Sequence, residues 1–210
     1  MGRYIDSSCK LCRREGMKLM LKGGRCETAK CAVERREKNL APGMHGWRRG
    51  RSSNYGVRLR EKQKVKRYYG LLEAQFRRYF QKAAKGTTDT GKQLLELLER
   101  RLDNVVYKIN FAPSRKAARL LIAHGHICLN GRRVDVPDIT VRIGDKITLK
   151  NSDRTQKIVK AQLDSNPNFV VQGWLQLDTQ KPMATVVSMP GRDDVQLAVE
   201  EQLVVEFCSR

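Results

Sequence analysis

Cysteine spacing is the most chemically specific feature of this 210-residue sequence. Two residues separate Cys9 from Cys12, four separate Cys26 from Cys31, and thirteen lie between the pairs. Two close pairs joined by a loop allow each pair to reach one tetrahedral ion from a tight turn. Zinc held by Cys9, Cys12, Cys26 and Cys31 is the leading expectation; loss of metal, an iron–sulfur cluster and reactive thiols are the alternatives. The expected role is structural, because four thiolates fill the coordination shell and leave no position for a reacting water. Cys128 and Cys208 lie outside this pattern and read as small apolar fillers.

The thiols are expected to be reduced. Residues 1–6 lack the apolar run of a signal peptide, and Asp6 stands where a myristoylation motif wants Ser or Thr, so the expectation is a cytosolic chain. No stretch approaches the 18 or more apolar residues of a spanning helix, and a formal net charge of +20 points to an anionic partner, nucleic acid before membrane. That charge is uneven. Residues 1–85 hold 24 cations against 7 acids, a net +17, whereas residues 86–210 hold 18 against 15, a net +3. Around the thiols, Arg13, Arg14, Lys22, Arg35 and Arg36 are expected to face RNA. The Gly-rich stretch 41–53 reads as a basic arm in which Arg48, Arg49 and Arg51 contact phosphates, with Trp47 either stacking on a base or packing on a helix.

The positioning elements follow from apolar periodicity. Residues 55–85 read as two helices divided at Gly70, the first with a basic face that includes Arg58, Lys62, Lys66 and Arg67 and has Glu61 as its only acid. Leu94, Leu95, Leu98, Leu102, Val105, Val106 and Ile109 recur at helical spacing and predict one helix whose Glu96, Glu99, Arg100, Arg101 and Asp103 form a solvated face. Ser114 then reads as the N-cap of a helix over 115–124 that Gly125 ends in a left-handed turn. Asn130-Gly131 suits a two-residue type I′ hairpin, and 139–149 reads as a second alternating run around Gly144-Asp145. The polar face of this unit carries Arg115, Lys116, Arg119, Arg132 and Arg133; cations in a helix's first turn oppose its dipole, so an anionic partner, phosphate, is expected. Beyond it, 154–163 reads as helix, 174–178 and 183–187 as strands, and 199–207 as helix or strand.

Taken together, Cys9-x2-Cys12, Cys26-x4-Cys31, Pro42-Gly-Met-His-Gly46, the run Tyr55–Lys64, Arg101–Tyr107 and Ser114–Val134 resemble the family of bacterial small-subunit ribosomal protein four, over the whole chain. The 114–149 motif alone is also similar to parts of RNA pseudouridine synthases, tyrosyl-tRNA synthetases and a heat-shock RNA binder. Met44 stands where the family often has Gln. The resemblance implies direct binding to the five-prime domain of small-subunit ribosomal RNA, nucleation of that domain's assembly, and no catalysis. It implies zinc on the four cysteines, as in the metal-bearing branch, and an arm at Arg48, Arg49 and Arg51 facing the channel by which messenger RNA enters. It also implies a surface at Tyr55, Arg58, Glu200, Glu201, Phe207 and Arg210 that meets ribosomal protein five and influences decoding accuracy.

The expected fold is α+β: a zinc module over 1–41, a helical domain over 42–98 and 187–210, and an inserted α/β RNA-binding domain over 99–186, a helix pair on a small antiparallel sheet. Ser114, His124 and Asn130 complete the set expected to touch RNA. A cytoplasmic place in the small ribosomal subunit follows. The alternatives are an RNA-modifying enzyme or regulatory RNA binder using the same motif, although the residues left over lack a nucleotide-binding glycine pattern, and a DNA-reading regulator, for which no recognition helix is evident.

Overall fold

A computed structural model describes residues 4–35, 40–47, 50, 53–167, 169–178 and 181–209. The chain divides into two compact units, Met1–Leu94 with Gln196–Arg210, and Leu95–Val195.

In the first unit, helix α1 (Ser8–Glu15) stops where Gly16 takes φ +70°. Helix α2 (Asn54–Tyr68) begins at Ser53, whose hydroxyl accepts the Gly56 N–H at 3.1 Å. It ends as its sequence predicts: Gly70 adopts φ +66°, and the N–H groups of Leu71 and Gly70 return to the carbonyls of Lys66 and Arg67. Helix α3 (Glu73–Ala83) buries Phe76, Tyr79 and Ala83. Helix α4 (Thr90–Glu99) starts in this unit and ends in the next. The ambiguous terminal segment forms helix α8 (Glu201–Cys208), which packs against α2; the Tyr55 and Phe207 rings lie 5.4 Å apart and the Lys62 ammonium lies 4.9 Å from the Phe207 ring centroid.

The second unit is built on an antiparallel sheet of order β2-β1-β3-β5-β4, formed by Ile127–Leu129 (β1), Arg132–Val134 (β2), Lys146–Leu149 (β3), Leu175–Asp178 (β4) and Met183–Val186 (β5). Helices α5 (Leu102–Lys108), α6 (Arg115–Ala123) and α7 (Asp153–Ser165) complete it. Val105, Val106, Ile109, Phe111, Ala118, Ile122, Ile127, Val141, Ile147 and Val159, all fully buried or nearly so, share one apolar cluster with Trp174. Each such aliphatic side chain contributes about 1.5–3 kcal/mol by leaving water. The expected hairpin is present: Asn130 and Gly131 have φ +51° and +77°, and Ile127 pairs with Val134.

Two expectations are corrected. The single helix over 94–109 is two, because Arg101 is extended at φ −66°, ψ 135° and pairs with Thr140. The Leu102 N–H donates to the Ile139 carbonyl at 2.8 Å, and Val141 N–H to the Arg100 carbonyl at 2.9 Å, so the break is spent on cross-chain bonds. For the same reason only residues 146–149 of the 139–149 run enter the sheet. No described helix is long and apolar enough to cross a membrane.

Candidate nucleic-acid interface

On α2 the cations are neutralised from three other helices, which the local sequence does not reveal. Arg58 pairs with Glu206 of α8 at 2.5 Å, and Lys66 with Glu73 of α3 at 2.9 Å. Lys62 also binds Glu73; Arg67 and Arg60 bind Glu15 of α1; Lys64 binds Glu61. The reading of α2 as a basic face with one acid is therefore corrected. Lys62, which is buried, is removed from the RNA-facing set, because its ammonium is held between Glu73 and Phe207.

Burial pushes the carboxyl of Glu15, whose side chain is 1% exposed, upward, while Arg67 and Arg60 pull it back. Burial alone would also raise Glu73, but hydrogen bonds from Lys62 and Lys66, with their charges, hold it down at about 2. Glu73 thus contributes stability that is present above its ordinary value of 4.5 and lost as pH falls through about 2. With the side chain 38% exposed, screening reduces that contribution to about 1 kcal/mol. Glu73→Gln should therefore lower urea stability at pH 7 by about that amount, with the difference from the parent shrinking as pH is taken from 4.5 towards 3. A gap independent of pH would contradict the assignment.

In the second unit the polar face divides into an inner and an outer set. Arg101, 1% exposed in its side chain, forms a two-pronged pair with Asp103 and a further bond to Asp138; Arg119 adds 2.7 and 3.1 Å bonds to Asp103 Oδ2. Lys108 Nζ meets Glu99 at 2.5 Å, Gln172 at 2.5 Å and the Asp194 carbonyl at 2.8 Å; burial pushes its ammonium down and Glu99 opposes that. Asn104 joins the clusters by donating to Glu99 and accepting from Arg115 Nε at 2.7 Å. The solvated face expected of Glu99, Arg101 and Asp103 is thus a buried ionic network.

Two assignments on α6 are corrected with it. Ser114 is a buried N-cap that accepts the Ala117 N–H at 3.2 Å. Arg115 is 7% exposed, bonded to Asn104 and stacked over the Tyr107 ring at 4.5 Å, so its place in the first turn is explained by internal contacts. Arg119 is half-buried on Asp103. Lys116, His124, Asn130, Arg132 and Arg133 are exposed. Asn130 donates to Asp145 Oδ1 at 2.8 Å and accepts the Lys146 N–H at 2.9 Å, which fixes the hairpin tip.

In the N-terminal module, Arg14, Lys22 and Arg35 are exposed, while Arg13 is half-buried with its Nε on the Leu40 carbonyl. Trp47 is 63% exposed, against the packing alternative. Arg36, Arg48, Arg49, Arg51 and Arg210 lie outside the described residues. Cys9, Cys12, Cys26 and Cys31 line one cavity of about 20 Å³, the room of a single small ion or water. Burial pushes the Cys12 and Cys26 thiols up, and N–H groups of Leu19 and Lys22 respectively counter it. The Lys22 N–H lies 3.4 Å from Cys26 Sγ. No set of three or more His, Cys, Asp or Glu among the described residues is grouped as for a metal ion.

The sequence pattern of the ribosomal protein S4/S9 N-terminal domain matches residues 3–99, and that of the S4 domain matches 100–147. Proteins called small ribosomal subunit protein uS4 from Trichlorobacter lovleyi and Halothermothrix orenii are each 50% identical over 210 residues, covering all of both chains. The namesake from Thermodesulfovibrio yellowstonii is 49% identical over the same span. The chain belongs to the uS4 family. Within this uS4 chain, Glu15 and Glu73 hold basic side chains of the first unit, and Glu99, Asp103 and Asn104 those of the second, Lys108 among them; spacing alone does not single them out. No local signal marks the second set: the apolar period on both sides of Arg101 predicts one amphipathic helix with these charges on its outer face, and the break that buries them is set by residues 139–141.

Proposed function

We propose that this chain is an RNA-binding structural constituent of the small ribosomal subunit, in the cytoplasm, and catalyses no reaction. The observation that carries the reading is full-length agreement: two uS4-type domains account for residues 3–147, and relatives named for the small subunit match all 210 residues. Side-chain chemistry agrees with it. The buried titratable groups Glu99, Arg101, Asp103 and Lys108 are bound to one another, while Arg132, Arg133 and Lys116 are presented outward.

Within that reading, the RNA is the five-prime domain of small-subunit ribosomal RNA, whose assembly the chain nucleates. Arg48, Arg49 and Arg51 face incoming messenger RNA, and the exposed ring of the neighbouring Trp47 supports that reading as a surface on which a base can stack. Tyr55, Arg58 and the segment from Glu200 to Arg210 meet ribosomal protein five and influence accuracy. In their favour, Tyr55 is 58% exposed; against a wholly external role, Arg58 is already engaged by Glu206. Cys9, Cys12, Cys26 and Cys31 hold one structural zinc: four thiols around a single-ion cavity repel each other as thiolates unless a cation joins them.

Sedimentation of ribosomes from cells expressing the tagged chain tests the reading. Co-migration with the small subunit through a high-salt wash is expected. A tagged chain that remains at the top of the gradient while subunits form normally would overturn it.

A further inference from the structure

A second cluster of positive groups lies beside the hairpin and extends past the residues matched as an S4 domain. It is assembled from four pieces of chain. His124 caps helix α6, and Gly125, at φ +68°, turns the chain so that the His126 N–H reaches the Leu121 carbonyl at 3.0 Å. Arg133 of β2 folds back over this turn; its Nη2 donates to the His124 carbonyl at 3.3 Å, and a Cβ on Gly125 would lie 2.1 Å from its Nε. Glycine suits the left-handed turn, and any side chain there would displace the guanidinium from its present position. The end of β3 is tied in by the Lys150 N–H, which donates to the His126 carbonyl at 2.8 Å. The start of α7 is tied in by Thr155 Oγ1, 2.9 Å from His126 Nδ1. The two imidazoles lie 6.2 Å apart.

This cluster is uncompensated. Burial, and then the neighbouring His124, Lys150, Arg133 and Arg154, disfavour the imidazolium of His126, and three of those neighbours carry a fixed positive charge. Among the described residues, Arg133, Lys150 and Arg154 form no ion pair with a carboxylate, in contrast to Arg101, Lys108 and Arg119 in the same unit. Like charges collected by backbone and side-chain hydrogen bonds, at a cost in repulsion, mark a place that an anion completes.

We propose that His124, His126, Arg133, Lys150 and Arg154 form a phosphate-binding site for the RNA backbone, beside and beyond the hairpin. The site rests on the RNA-binding reading. It carries the strand's phosphates from the hairpin onto the start of α7, and it is filled by phosphodiester groups without reading base identity. An anion there compensates the imidazolium as well as the fixed cations, so binding takes up a proton and weakens as pH rises.

The test uses the full chain and full-length small-subunit ribosomal RNA, with affinity measured by filter retention over a range of salt. Lys150→Gln with Arg154→Gln alters two exposed side chains. It is expected to weaken binding roughly tenfold at physiological salt and to make the log–log salt slope shallower by about 1.4–1.8, the loss of two phosphate contacts. Lys160→Gln with Lys181→Gln removes the same charge elsewhere in the unit and should leave the slope unchanged. Equal effects of the two pairs would mean general attraction and would overturn the site, as would an unaltered slope for Lys150/Arg154. Parent protein that fails to retain the RNA at all would instead sink the RNA-binding reading. Between pH 6 and 8 the parent should lose affinity more steeply than His124→Gln/His126→Gln; equal pH dependence would remove the histidines from the site.

Discussion

Replacing Asp103 by alanine is expected to destabilise the 95–195 unit by about 3–5 kcal/mol, the range for stripping the partner from a buried charge. The carboxylate is the shared acceptor of Arg101, whose side chain is 1% exposed, and of Arg119. Removing it leaves the Arg101 guanidinium in the interior with Asp138 as its remaining carboxylate. The site cannot relax by deprotonation, because a guanidinium keeps its proton at any accessible pH. Urea unfolding followed by Trp174 fluorescence in a Trp47→Phe background reads this unit, since Trp174 is 2% exposed. The double variant Arg101→Met/Asp103→Leu should recover part of the loss, because it removes both charges rather than one. A cost of Asp103→Ala below about 1 kcal/mol would mean that Arg101 is solvated where it stands.

Metal removal is expected to have the other large effect. Purified in the presence of zinc, the chain should carry about one ion per molecule by elemental analysis, and a strong chelator should unfold the N-terminal module alone. Four-thiolate zinc supplies about 10–16 kcal/mol in small modules at neutral pH, far more than this module's own packing offers. Its apolar anchors are few: Leu19, fully buried, and Leu21 at 7% exposure. Loss of hydrogen-exchange protection over residues 8–31, with protection in 102–186 unchanged, would be the signature. Absence of metal after metal-replete purification, or a module indifferent to chelation, would contradict the assignment.

Much of the architecture was legible because local signals carried it. Ser114, Gly125 and Asn130-Gly131 act through the chain on either side of them, and each does what its residue type predicts. Gly70 likewise divides α2 from α3. What was not legible depended on partners distant in sequence. Arg101 breaks a helix that its apolar period would continue, because its backbone is bonded to 139–141 and its guanidinium to Asp103 and Asp138. The α2 cations looked like one free face because Glu15, Glu73 and Glu206 arrive from three other helices. Arg115 and Ser114 suit RNA by type and position, but Asn104, Tyr107 and the Ala117 N–H engage them below the surface, a depth that neither type nor position reveals. The cysteine spacing was legible as a cluster, and the four side chains do line one cavity.

Among the described residues, strand β2 stands at one end of the sheet, with β1 as its only neighbour in the strand order. Its outer edge offers unpaired peptide groups to any strand that approaches, which is how sheets recruit copies of themselves into aggregates. Arg132 and Arg133 occupy that edge and are exposed. They set two positive charges against the same two charges on a second molecule. Like charges on two approaching hairpins therefore disfavour edge-to-edge pairing of this sheet.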